Sequence, residues 1–236
     1  MNLEVHHDAE AAAQAAAIFI AAKAREAIAA RGRFIMAVSG GHTPWLMLRA
    51  LADEDVPWEA VHLVQVDERV APAGDPDRNL THLLESLREI DSLRPDHIHA
   101  MPVEAPDLEL AASQYATALN QIAGSPAVLD LVHLGLGPDG HTASLVPGDP
   151  VLEVDDADVA IASVYQGRRR VTLTYPSINR ARQVLWLVTG KDKAEIVGRL
   201  RNGDTSIPAG RVHRDRALIL ADLAAAGRDY SDLRKE

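Results

Sequence analysis

Asp139 and His141, two residues apart in Gly135-Leu-Gly-Pro-Asp-Gly-His141, are the residue types of a proton-transfer pair. A carboxylate can fix the tautomer and pose of an imidazole that titrates near neutrality. Taken alone, His141 reads as a structural loop histidine, but the flanking glycines and the neighbouring acid favour a general base. Ser39-Gly-Gly-His-Thr-Pro44 suits a different task. Its glycines expose backbone N–H groups, and a helix opening at Thr43 and Pro44 would turn its positive end toward an anion, although Thr-Pro also begins many ordinary helices. Asp67-Glu68-Arg69 and Thr189-Gly-Lys-Asp-Lys193 add charge at two further places. Arg69 and Lys193 have the chemistry to clamp a phosphate or polarise a carbonyl, with Arg170 and Arg211 as further cations. The plain alternative for each is a solvated charge with local ion pairs.

These residues need elements to bring them together. An alanine-rich stretch over about residues 8–30, ended by Arg31-Gly32, reads as a helix. Phe34-Ile-Met-Ala-Val38 is a continuous apolar run, the mark of a strand covered on both faces. A helix is expected over 44–52, a strand over 61–66, and helices over 80–90 and 108–123. The apolar run around Val132, Leu134 and Leu136 is the next strand, and 147–158 reads as an acidic surface loop. Strand character at 159–164 and 171–174, separated by Gln166-Gly-Arg-Arg-Arg170, suggests an antiparallel excursion. Strands over 184–188 and 217–220 bracket a helix over 194–201. The alternation implies a single-domain α/β fold over residues 1–236: a doubly wound, mostly parallel sheet flanked by helices. Ligands of such sheets bind beyond the carboxyl ends of the strands, where Ser39, Asp67, Gly137 and Thr189 all fall.

Three competing motifs fail on context. Gly135 to Gly140 matches a dinucleotide-binding glycine pattern, but that pattern needs a helix at its third glycine and Pro147-Gly-Asp-Pro150 leaves no room for one. Ala37-Val-Ser-Gly-Gly41 is one glycine short of a nucleophile elbow, and Thr43-Pro44 delays the helix that an elbow serine must adjoin. His97-Ile-His99 offers two imidazoles without a third ligand at a telling spacing, so both read as surface histidines and no metal is expected. Trp45, Trp58 and Trp186 read as packing residues.

With a formal charge of −10, scattered basic residues and 4% aromatics, the 236-residue chain has no footprint for nucleic acid. The absence of cysteine suits a reducing cytoplasm. No apolar run approaches the roughly 18 residues of a membrane span, and the opening residues lack a signal-peptide pattern. The chain reads as soluble, cytoplasmic and unprocessed, a monomer or small homo-oligomer.

Taken together, Ser39-Gly-Gly-His-Thr-Pro44, Asp67-Glu-Arg69, Gly135 to Ser144, Arg170-Val-Thr-Leu-Thr-Tyr-Pro-Ser-Ile-Asn179 and Gly190-Lys-Asp-Lys-Ala194 resemble the 6-phosphogluconolactonase family, part of a group that includes glucosamine-6-phosphate deaminases. The resemblance implies a Rossmann-like fold and hydrolysis of 6-phospho-D-glucono-1,5-lactone without metal or organic cofactor. It implies His141 as base with Asp139 setting its pose, Arg69 assisting, and Ser39, Gly40, Gly41, Thr43, Asp67, Arg170 and Lys193 holding the phosphosugar. The deaminases carry a glutamate shortly after the Asp-Gly-His segment, where this chain has Val146. Sugar-phosphate sensors of this fold carry a DNA-binding module, and no helix-turn-helix precedes residue 34. His42 and Arg78 depart from the usual pattern at positions that could alter substrate contacts while leaving the chemistry untouched.

Overall fold

Five apolar runs form the centre of the molecule because each is long enough to cross a sheet and too apolar to leave a wet face. In the computed structural model, which describes residues 1–228, these are β2 (Phe34–Val38), β3 (Val61–Gln65), β6 (Leu131–Leu134), β9 (Val184–Val188) and β10 (Ala217–Asp222). With β1 (Asn2–His6) and β5 (Ile98–His99) they make a seven-stranded sheet in the order β1-β10-β9-β6-β2-β3-β5, with every pairing parallel. From β2 the chain builds outward through β3 to β5; from β6 it builds the other way through β9 to β10. The crevice between β2 and β6 is therefore the switch point of the sheet, where ligands of such folds bind.

Helices α1 (Ala9–Arg31), α2 (His42–Ala52) and α3 (Asn79–Leu87) pack on one face of the sheet. Helix α1 turns mostly alanines inward, so its backbone lies close to the strands; Asp8 caps it by accepting from Ala11 N, and Gly32 stops it in the left-handed region at φ 75°. The other face is covered by α4 (Leu108–Ala123), α5 (Tyr175–Arg180), α6 (Ala194–Asn202) and a three-stranded antiparallel sheet. That second sheet has the order β4-β8-β7, from β4 (Asp67–Arg69), β7 (Val159–Tyr165) and β8 (Arg168–Leu173). It contains the expected antiparallel hairpin, whose turn is only Gln166-Gly167 because Arg168 already belongs to β8.

Several expectations need correction. Asp67-Glu68-Arg69, expected as the charged end of the preceding strand, is a separate strand paired with β8, and Asp67 and Glu68 are buried. Helix α2 begins at His42, two residues before Pro44, and Thr43 does not cap it because its hydroxyl lies 2.7 Å from that of Thr189. Strands β1 and β5 and helix α5 are additions, and a short helical turn at Pro150–Glu153 buries Val151 within the acidic loop. His97 and His99 are half-buried, not surface residues: His97 stacks on His62 at 3.9 Å between ring centroids, and His99 Nε2 lies 3.1 Å from His62 Nδ1.

Burial, then the neighbouring imidazoles, push His62 down to about 4. His133, on β6, is wholly buried and is pushed down to about 3 by desolvation. Both therefore fold as neutral rings with proton affinities below their unfolded values. Their contribution is complete above pH about 6.5 and is lost as pH falls toward 4 and 3, because the unfolded chain binds protons that the folded one refuses. Urea midpoints should fall steadily between pH 7 and 4.5. His133→Asn, which keeps an acceptor without the titration, should flatten that slope; an unchanged slope would remove His133 as its cause.

Candidate active site

The carboxyl ends of β2, β3, β6 and β9 open into one cavity of about 300 Å³. Ser39, Gly40, Gly41, Thr43, Asp67, Arg69, His141, Arg170 and Lys193 all line it. Asp139 stands behind His141, outside the lining. Arg211 belongs elsewhere, paired with Glu153 at 3.0 Å and lying over the Tyr175 ring.

The turn after β6 is built around His141. Asp139 Oδ1 lies 2.6 Å from His141 Nδ1 and accepts from the His141 backbone N–H at 3.1 Å, so one carboxylate oxygen fixes ring and backbone together. This leaves Nε2 as the ring nitrogen outside that contact. Burial pushes the Asp139 carboxyl up, but the backbone N–H and imidazole of His141 outweigh it and hold the group below its ordinary range. A Cβ at Gly137 would stand 2.1 Å from His141 Nδ1, so a side chain there would displace the ring. Gly140, at φ 83°, turns the chain against Ile207, and no helix follows it; the dinucleotide pattern fails as expected.

In the same cavity, Gly41 is the N-cap of α2 and makes no side-chain hydrogen bond, so the first backbone N–H groups of the helix lack the partner a serine or aspartate would supply. Lys193, the residue before α6, lines the same cavity, with its ammonium 3.2 Å from Asp192. The uncapped start of α2 and Lys193 thus border one cavity, a combination suited to an anion. Gly40 is required for a different reason: its Cβ would lie 1.8 Å from Asn79 Oδ1.

Ser39 is not poised as a nucleophile. Its hydroxyl donates to the His133 carbonyl oxygen at 3.0 Å, while its backbone N–H points to His133 Nδ1 at 3.4 Å. The imidazole nearest to it is thus occupied by the backbone, and no acid accompanies it among the described residues.

Asp67 is held by Ser144 Oγ at 2.6 Å and faces Arg170 Nη1 at 3.8 Å. Desolvation lowers the Arg170 guanidinium below its ordinary range even though Asp67 opposes this. Arg69 leans out of the antiparallel sheet and donates to the Asp77 carbonyl oxygen at 2.6 Å. Glu68, between Asp67 and Arg69, points away from the cavity and accepts from the backbone N–H groups of Arg69, Asn79 and Leu80, each at 2.8 Å. It thereby anchors the start of α3 and puts Asn79 on the cavity wall. Arg78 does not line the cavity. It is 2% exposed, with its Nε 3.1 Å from Glu68 and its Nη1 donating to the Ala71 carbonyl oxygen. His42 does line the cavity.

Sequence reasoning missed Asn79, Glu68, His133 and Tyr165. Only Asn79, directly after the polar loop and at a helix start, carried a local signal.

Fold and site together define a doubly wound α/β protein whose cavity, at the switch point of the sheet, brings an uncapped helix start, a lysine and a histidine backed by an aspartate together. Residues 7–220 match the family model described as glucosamine-6-phosphate isomerases/6-phosphogluconolactonase, and the chain belongs to that family. It is 40% identical over 190 residues to a 6-phosphogluconolactonase of Synechocystis, covering 78% of each chain. It is 35% identical over 246 residues to one from Streptomyces coelicolor, covering 95% of this chain and 93% of that one. The crystal structure of 6-phosphogluconolactonase from Thermotoga maritima superposes with a TM-score of 0.82 at 26% identity, over 94% of this chain and 98% of the other.

Proposed function

We propose that the protein hydrolyses 6-phospho-D-glucono-1,5-lactone to 6-phosphogluconate, the lactone-opening step of the oxidative pentose phosphate pathway, in the cytoplasm. The observation that carries this reading is the one cavity lined by His141, backed by Asp139, together with the start of α2 at Gly41 to Thr43 and Lys193. Similarity to several 6-phosphogluconolactonases over most of the chain supports the substrate.

His141 Nε2 takes a proton from water as the water oxygen bonds to the lactone carbonyl carbon. The carbonyl electrons move onto oxygen, beside the guanidinium groups of Arg69 and Arg170, forming a tetrahedral intermediate. On its collapse the bond from the carbonyl carbon to the ring oxygen breaks, and the imidazolium returns its proton to that oxygen. The product acid then ionises, so each turnover releases one proton at neutral pH. Ser39, Gly40, Gly41, Thr43 and Lys193 hold the phosphate, and Asp67 orients Arg170.

The alternative, an amino-sugar phosphate deaminase, needs an acid to open the ring and release the amine. Among the described residues, Asp67 is the one carboxylate lining the cavity, and Ser144 and Asn79 already hold it. Val146 occupies the place where the resemblance puts the deaminase glutamate. The two readings separate on paired assays: proton release from fresh lactone supports hydrolysis, whereas ammonia release from glucosamine 6-phosphate without lactone turnover would replace it.

Lys193→Ala should raise KM for the lactone about 10- to 100-fold, the worth of a charge-assisted contact to phosphate, with kcat changed only a few-fold. Initial-rate kinetics check this. An unchanged KM would remove Lys193 from the phosphate site.

A further inference from the structure

Tyr165 ends β7 at the tip of the β7–β8 hairpin and touches Asp139, His141 and Arg170 without lining the cavity. Its hydroxyl is 3.4 Å from both Asp139 Oδ2 and His141 Nδ1, and its ring meets the His141 ring edge-on, with centroids 5.2 Å apart. The same ring carries the Arg170 guanidinium at 5.1 Å from its centroid. Arg170 Nη2 also reaches the Tyr165 carbonyl oxygen at 3.5 Å and Gln166 Oε1 at 3.3 Å. Gln166 and Gly167 both have positive φ, 51° and 79°, the backbone of a tight two-residue turn that fixes where Tyr165 stands.

We infer that Tyr165 is a positioning residue, holding the His141–Asp139 pair and Arg170 in one frame and setting the proton affinity of His141 by donating its hydroxyl to Asp139. This rests on the proposed role of His141 as base. A donor on Asp139 Oδ2 draws negative charge away from the carboxylate and so weakens its support for a protonated imidazole. Asp139 and Tyr165 touch His141, while Asp67, Arg69, Arg170, Lys193 and His42 share its cavity. Burial, then the charge of Asp139, hold the phenol above its ordinary range, so it is a donor at neutral pH. The hairpin tip thus links the base to the cation that faces the developing oxyanion.

Tyr165→Phe removes the hydroxyl and keeps the ring under Arg170. The His141 imidazole, followed by NMR titration and assigned by comparison with His141→Gln, should titrate about half a pH unit higher in Tyr165→Phe. The acid limb of kcat/KM for the lactone should move the same way, with KM within about two-fold because Arg170 stays in place. Tyr165→Ala, which also removes the ring, should raise KM as Arg170 loosens. A His141 titration in Tyr165→Phe that superimposes on the parent would overturn the inference, as would a uniform loss of kcat with no shift along the pH axis, which would make the phenol a direct participant. A shifted titration in a protein that turns over no lactone would leave the hold of Tyr165 on the pair standing and overturn the lactonase reading instead.

Discussion

His141→Ala is expected to lower kcat for lactone hydrolysis by about 10²- to 10⁴-fold, the span over which a positioned general base accelerates proton transfer. KM should change little, because the phosphate is assigned to Ser39, Gly40, Gly41, Thr43 and Lys193 and not to His141. Stability should change little as well, since the His141 side chain is 21% exposed and its main partner, Asp139, is itself at the surface. This separates catalysis from folding: denaturation midpoints near the parent value, with kcat reduced by orders of magnitude, assign the loss to chemistry. Asp139→Asn should fall in the same direction by a smaller factor, because the amide keeps the shape but holds the imidazole in the wrong tautomer part of the time. Stopped-flow or pH-indicator kinetics on freshly made lactone check both variants. Parent-like kcat in His141→Ala would leave the site without its base.

The largest effect on stability should come from a residue that makes no contact with the cavity. Glu68 is 0% exposed, accepts from three backbone N–H groups and from Gln65 Nε2 at 2.8 Å, and forms an ion pair with the buried guanidinium of Arg78. Glu68→Ala strips those donors of their acceptor and leaves Arg78 a buried cation whose other carboxylate, Glu104, lies 3.7 Å away and is exposed. Breaking one half of a buried pair costs about 3–5 kcal/mol, so the variant should unfold at a clearly lower urea concentration. Arg78→Met in the Glu68→Ala background should recover part of the loss, because the uncompensated charge goes with it. Activity should fall with stability, since Asn79 and Asp67 take their places from the same strand and helix start. A Glu68→Ala midpoint within about 0.5 kcal/mol of the parent would mean that the buried network is not holding α3.

How much of this was readable in advance follows from the range of the interactions. Strands β2, β3, β6, β9 and β10 were legible because short, mostly apolar runs have no other stable home, and their ends located Ser39, Asp67, His141 and Lys193. The pair Asp139–His141 was legible because both partners lie in one turn. Strand β4 was not, because three consecutive charged residues become a strand only when β8, a hundred residues later, pairs with them. Edge strand β1 pairs only with β10 at the far end of the chain, and two-residue β5 is too short for any pattern to register. The N-cap assigned to Thr43 failed for the same reason: Thr189 takes its hydroxyl, and the two are 146 positions apart. Tyr165 sits in an ordinary β-strand composition, and its contact with His141 exists only once the hairpin folds back over the β6 turn. Glu68 looked like one charge among three, and its burial depends on α3 presenting two free N–H groups to it.

The central claim is that this cavity opens a phosphorylated lactone by base-assisted attack of water. Base uptake at constant pH, following fresh 6-phospho-D-glucono-1,5-lactone with parent protein, with His141→Ala and with none, tests it most directly. Rapid uptake of one equivalent with the parent, and a rate with His141→Ala close to spontaneous hydrolysis, is the expected result. Parent protein that does not accelerate uptake above the protein-free rate would contradict it.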